Sequence, residues 1–234
     1  MKVFITGSSR GLGEAFVQYY LNKGESVYGL GRSKIIRDDY LYESVDISDE
    51  KALNKSLENI FTNVKSLDLL LLNAGVLGRI QDTSACEMRQ LKKEMDINMW
   101  ANKTILDFFI NNKIEVKQVI AISSGASVNG SLGWNGYSLS KAALNMLIKL
   151  YAAEMRETHL TSLAPGLIKT EMLASILEGD HDTKKYTSVQ SLRDSDKKGL
   201  IYSAEVIVEK IIDVIPVLLK SPSGSFVDIR DIQK

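Results

Sequence analysis

Two periodicities divide the chain between them. Residues 2–6, 25–30, 41–45, 68–72, the run opening at Val119, 159–163 and 225–229 are short and rich in apolar, β-branched or aromatic residues. Most of these runs lack the alternation of a half-exposed strand, which predicts strands buried on both faces. Between them the apolar positions return every three or four residues: to about residue 23, over 49–61, over 84–112, from about 134 to 157, and over 203–214. Such alternation of buried strands with helices predicts an α/β fold, a single doubly wound parallel sheet with helices on both faces. No repeat, low-complexity tract or Pro/Gly-rich linker interrupts it, so residues 1–234 read as one domain. Only the polar stretch 178–198 shows no clear period.

Composition changes that picture little. A hydrophobic fraction of 44% and a charged fraction of 25% are those of an ordinary soluble globule. Twenty-nine basic residues balance twenty-nine acidic ones, so no basic field points toward nucleic acid or an anionic membrane. No apolar run approaches the roughly 20 residues of a membrane-spanning helix. The single cysteine, Cys86, excludes an internal disulfide and suits a reducing compartment. With no partner base apparent, it reads as a small helix residue rather than a nucleophile. Residues 1–6 already read as a strand, which leaves no room for a signal peptide, and the expected location is cytoplasmic.

Candidate chemistry concentrates in residues 119–144. There a buried strand breaks at Ser123-Ser124-Gly125, a Gly, Ser and Asn loop follows, and helix resumes near Trp134. Tyr137 and Lys141, four apart, project from one helix face. That spacing alone proves nothing: nine tyrosines among 29 Lys and Arg in 234 residues predict about one such pair by chance, and Tyr19/Lys23 and Tyr28/Arg32 are others. A hydroxyl at the strand's carboxyl end singles out Tyr137. A tyrosine titrates near ~10, and a nearby ammonium favours its phenolate, so Lys141 is expected to make the phenol competent for proton exchange. Ser124 would steady a developing oxyanion, with Ser123 its rival, since strand alternation turns only one of them to the cleft.

A second motif lies at the amino terminus. Gly7, Ser9, Arg10, Gly11, Leu12 and Gly13 join the first strand to the first helix, where backbone N–H groups and the helix dipole hold phosphate. The spacing is not G-x-G-x-x-G, so alone it suits either a phosphate cradle or a tight structural turn.

Thr6-Gly7 through Gly11-Leu12-Gly13, Asn73-Ala74-Gly75, Ser124, Tyr137-x-x-x-Lys141 and Pro165-Gly166 stand in the order seen in short-chain dehydrogenases/reductases. The sequence resembles that family over nearly its whole length. The resemblance implies a Rossmann fold in which the glycine turn binds the cofactor phosphates and Asn73-Ala74-Gly75 supports the sheet beside the adenosine. It places Asp46, with Ile47, near the adenine, and counts Pro165, Gly166, Ile168 and Thr170 among the cofactor-binding positions. It gives Lys141 the nicotinamide ribose, and Asn98 a water leading to Lys141. A mid-helix Asn98 can also bend its helix or expose a carbonyl, or simply face solvent. A lid over the substrate is expected at about 167–202.

The nicotinamide cofactor is chosen at the second strand's end, where an acid reads the ribose of NAD and an arginine the 2′-phosphate of NADP. Leu30-Gly31-Arg32-Ser33 offers no carboxylate before Asp38, and Arg10 is a second guanidinium, so NADP(H) is expected over NAD(H). Trp134, Ala126, Leu167, Ile168 and Met172 are candidates for the substrate wall or for the core. Apolar positions nearly all round the helix after Tyr137, and Ile105, Leu106, Phe108, Phe109 and Ile110 in the helix before it, predict a homodimer or homotetramer paired through helices 84–112 and 134–157. The expected activity is an NADPH-dependent reduction of a small-molecule carbonyl. Residues 224–229 are similar to a small branch holding both carbonyl reductases and signalling proteins, so the rival reading is a nucleotide-binding regulator.

Overall fold

The computed structural model describes residues 1–34 and 38–232. Seven strands, β1 (Lys2–Thr6), β2 (Ser26–Gly31), β3 (Leu41–Ser44), β4 (Ser66–Leu72), β5 (Glu115–Ile122), β6 (His159–Ala164) and β7 (Ser225–Asp228), form one sheet in the order β3-β2-β1-β4-β5-β6-β7. Every pairing is parallel. Central strands are buried on both faces because each face is covered. Val3 and Ile5 of β1 pack with α1 (Gly11–Asn22) and α9 (Ala204–Leu218). Phe4, pointing the other way, packs with α2 (Glu50–Phe61), α4 (Ala101–Asn111) and α6 (Asn135–Glu154). Its ring meets Phe61 edge-on at 5.0 Å, and Phe61 meets Phe109 at 5.0 Å, so aromatic contacts tie two helices to the central strand.

Local signals set the helix starts. Asp49 accepts the Ala52 N–H to cap α2, and Ser203 accepts that of Val206 to cap α9. The single helix expected over 84–112 is interrupted: α3 (Met88–Met95) passes into a wider π-type turn at Asp96–Trp100 before α4 resumes. Asn98 lies inside that turn, and its carbonyl is taken by the Asn102 amide at 2.9 Å. Helix α9 runs on past Val214 through Pro216, because Leu218 is still buried. The last strand ends at Asp228, where Ile229 opens the short α10 (Ile229–Ile232).

The stretch 178–198 is not featureless. It holds α8 (Thr187–Lys197), which follows α7 (Glu171–Leu177); Val189 and Leu192 of α8 pack on Leu173 and Ile176 of α7. No helix among the described residues is long and apolar enough to cross a membrane.

Candidate active site

From the centre of the sheet the chain winds outward through β2 and β3, then returns to β4 on the other side of β1. The crevice at the carboxyl ends of such a reversal is where open α/β sheets take ligands. A cavity of about 1270 Å³ runs along this edge.

At its nucleotide end, α1 begins with no side-chain cap from Arg10, so its amino terminus is left for another hydrogen-bond acceptor. The turn is tight: a Cβ on Gly13 would lie 2.1 Å from the Gly7 carbonyl oxygen, so the helix start abuts the loop only because Gly13 has none. Thr6 ties the sheet together beneath it, its hydroxyl accepting the N–H groups of Asn73 and Ala74 at 2.9 Å each. The Asn73 amide returns to the Thr6 carbonyl at 2.9 Å. Arg32 follows β2, its turn held by hydrogen bonds from Ser44 to the Arg32 carbonyl and from Tyr42 to the Ser33 carbonyl. Arg10 is turned toward α7, where it meets Glu171 at 2.5 Å. Asp46 accepts two hydrogen bonds from Ser48, which hold its carboxyl below the usual carboxylate range. An uncapped helix start, a tight glycine turn and a guanidinium at the end of β2 fit a dinucleotide.

At the chemical end, Ser124 lies just past β5, and both it and Tyr137 line the cavity, the serine near enough to the phenol to offset part of its burial. Ser123, the rival, also borders the cavity, but its hydroxyl is committed to Asn145, to which it donates at 2.6 Å. Lys141 is 3% exposed and donates to the Ile122 carbonyl at 2.7 Å. Burial brings its ammonium down to about 8. The expected lowering of the Tyr137 phenol is not what the structure shows. Burial raises it above the usual 10, the Ser124 hydrogen bond opposing only part of that. Lys141, committed to Ile122, stands 5.8 Å from the ring centre.

Asn98 is fully buried behind this wall and does not line the cavity. Its side chain grips Val76 from both sides, at 2.8 and 2.9 Å, and donates to Ser140 at 2.9 Å. A Cβ on Gly75 would come within 3.3 Å of the Asn98 oxygen and 3.4 Å of the Lys141 nitrogen, so the glycine lets both groups crowd one spot. The solvent-facing reading of Asn98 is thereby excluded.

Of the other anticipated positions, Gly7, Ser9, Arg10, Gly11, Leu12, Arg32, Asp46, Ile47, Asn73, Ala74, Gly75, Pro165, Gly166, Ile168 and Thr170 all line the cavity, whereas Gly13 stands behind it. Ala126, Trp134, Leu167 and Met172 line it too. Sequence reasoning missed further lining: Leu77 after β4, Ile176 of α7 and Leu192 of α8 form apolar wall, and Ser188, Ser191 and Ser195 of α8 face the same space. Their spacing of three and four residues marks one helix face, a pattern visible in the sequence once 187–197 is taken as helical. The lid is tied down at its rim, where Trp134 donates to Ser188 at 2.8 Å and Lys185 meets Asp82 at 2.5 Å.

Comparison with known proteins agrees with this architecture. The family model described as short chain dehydrogenase matches residues 1–181. A protein from Bacillus cereus named benzil reductase ((S)-benzoin forming) is 27% identical over 229 residues, covering 89% of this chain and 91% of its own. One of the same name from Bacillus subtilis is 25% identical, covering 97% of both chains. The crystal structure of a Saccharomyces cerevisiae short chain dehydrogenase/reductase superposes with a TM-score of 0.84 at 23% identity, over 97% of this chain and 95% of that one. The chain is therefore an oxidoreductase of the short chain dehydrogenase family, whose members bind NAD(P).

Proposed function

We propose that this protein is an NADPH-dependent carbonyl reductase acting on a bulky, neutral ketone, foremost an aromatic vicinal diketone, with Tyr137 as general acid. The observation that carries the reading is that Ser124, Tyr137 and Lys141 line one cavity together with a largely apolar set of side chains. Bound NADPH would supply hydride to the carbonyl carbon. Tyr137, a phenol that carries its proton at neutral pH and that burial shifts further upward, gives that proton to the carbonyl oxygen. Ser124 donates to the same oxygen as charge builds there. Lys141 would hold the nicotinamide ribose, and Asn98 keeps the Val76 loop after β4 and Ser140 of α6 in place behind it.

The substrate class follows from the wall. Leu77, Trp134, Leu167, Met172, Ile176 and Leu192 present hydrocarbon and one indole, which suits an apolar ketone better than the anionic substrate that the lid's charges suggest. The two Bacillus relatives carry a name of the same chemistry. Consumption of NADPH in the presence of benzil tests it; no turnover with aromatic diketones, ketones or aldehydes sinks it. For the cofactor, Arg32 and Arg10, the latter now paired with Glu171, are the guanidinium groups that would hold a 2′-phosphate. NADPH should bind at least about tenfold more tightly than NADH, and Arg32→Ala should erase most of that margin. Equal binding of the two cofactors removes this part of the proposal.

The same reading includes a homodimer or homotetramer in the cytoplasm. Its support narrows in the structure, since Ile105, Leu106, Phe108 and Phe109 fill the chain's own core. What stays exposed is a stripe on α6, Leu139, Met146 and Leu150, each more than half exposed, with Trp100 and Ile110 nearby at 50% and 40%. A self-complementary apolar stripe suits a two-fold interface. Light scattering that finds a monomer at micromolar concentration counts against it.

A further inference from the structure

The reductase reading assigns roles to Tyr137 and Lys141 on α6, but the same helix face carries a third residue one turn further, Asn145. The geometry points to Asn145 as a positioning residue that straps the Ser124 loop to the helix bearing the phenol. Its amide is used at both ends. The oxygen accepts from Ser123 at 2.6 Å, and the nitrogen donates to the Ser127 hydroxyl at 2.8 Å. Ser127 in turn donates to the Ser124 carbonyl at 2.6 Å, and its N–H reaches the same carbonyl at 2.9 Å. One side chain thus holds the residues on either side of Ser124.

The bonds run in one direction, and the direction has a consequence. Ser127 spends its proton on Ser124, so it can only accept from position 145, and an N–H must stand there. The Ser124 oxygen accepts the Ala126 N–H at 3.1 Å, which leaves its own proton to be aimed at the phenol and the substrate oxygen. Neither Asn145 nor Ser127 lines the cavity, so both act through Ser124. Slippage of this loop by about 1 Å is enough to cost orders of magnitude in a positioned reaction.

The inference rests on the proposed reductase activity, and the experiment separates the two. Turnover of benzil and NADPH affinity are measured for Asn145→Leu, Asn145→Asp and Ser127→Ala, each also in a Ser124→Ala background. Asn145→Leu and Asn145→Asp should both lower kcat by about tenfold with NADPH affinity within about twofold, the isosteric acid failing because it cannot donate to Ser127. In the Ser124→Ala background either change should cost less than about twofold more, since the group they position is gone. Equal losses in both backgrounds, or full activity in Asn145→Asp, overturn the assignment. If the 145 variants do not fold, Ser127→Ala carries the same comparison from a half-buried position in the short helix Ala126–Asn129. If Ser124→Ala leaves turnover untouched, the reductase mechanism falls. The strap is then judged by hydrogen exchange at residues 126–129 in Ser127→Ala, where faster exchange upholds it and unchanged exchange refutes it.

Discussion

The proposed nucleotide half and the proposed substrate half of this cavity are built by different means. The first is backbone at the ends of strands: the turn after β1, Asn73-Ala74-Gly75 after β4, and Arg32 after β2. Its shape is fixed by the sheet register and by glycines that admit no Cβ, so few side chains can vary without deforming it. The second is side chains on two short helices, α7 and α8, joined by the small apolar cluster of Leu173, Ile176, Val189 and Leu192. It touches the sheet's carboxyl edge from outside and is held there by a few polar ties, Trp134 to Ser188 and Asp82 to Lys185 and Tyr186. A chain can keep one cofactor and change its substrate by redesigning the second half alone. The proposed catalytic groups stand at the seam, Ser124 just past β5 and Tyr137 and Lys141 on α6, and answer to both.

The largest effect that sharpens this contrast is at the seam itself. Tyr137→Phe removes one oxygen from the chemistry and nothing from the nucleotide wall. It should lower kcat by about a thousandfold while NADPH affinity stays within about twofold. Fluorescence titration alongside steady-state kinetics reads both, and surviving turnover with a reactive diketone would end the proposed mechanism.

The next effect is in the pH profile. Two seam groups are displaced by burial in opposite senses: the phenol upward, the Lys141 ammonium downward to about 8. A phenol above its ordinary value keeps its proton through the assayable range and gives no limb below pH 10. Lys141 is charged below about 8 and neutral above, so reductive kcat should be level to about pH 7 and fall about tenfold between 7 and 9. Lys141→Met should flatten that limb at a low plateau. A limb that survives in Lys141→Met belongs to another group, and the role given to the ammonium would be wrong.

Much of the first half was legible in the sequence, and for a physical reason. Continuous apolar runs report strands covered on both faces, and Gly7, Gly13 and Gly75 mark places where backbone must touch backbone or a buried amine. Those are local constraints, written in local residues. Asn98 was half legible: the family resemblance named it and its mid-helix place suggested a bend, but the π-type turn and the grip on Val76 depend on the loop after β4, 22 residues away. The Tyr137 phenol was read with the wrong sign, because sequence spacing puts Lys141 beside it but cannot weigh that charge against burial. Asn145 was passed over as one polar residue on an apolar helix, although it repeats the four-residue step from Tyr137 and Lys141. Helix α8 was hidden by its polar residues: Thr187, Ser188, Arg193 and Asp194 dilute the signal of Val189 and Leu192, which make sense only against α7. Self-burial of Phe108 and Phe109 likewise needed the sheet to be in place before the helix surface could be told from its core.

The smallest effect probes whether the substrate half is held on as loosely as its contacts suggest. Trp134 sits three residues before Tyr137 and its ring centre is 6.1 Å from that of the phenol, so it belongs to the catalytic loop, while its indole N–H reaches Ser188 on α8. Trp134→Phe keeps an aromatic wall and deletes that one donor. A neutral hydrogen bond contributes about 1 kcal/mol, which corresponds to about a fivefold rise in KM for the diketone, with kcat and NADPH affinity nearly unchanged. Ser188→Ala should produce the same rise, and the double variant no more than either alone, because both remove one bond. A change in NADPH affinity would show that the lid is coupled to the nucleotide wall, through Arg10 and Glu171 in the first instance. The two halves would then be one mechanical unit, and the separation drawn from their construction would not extend to their function.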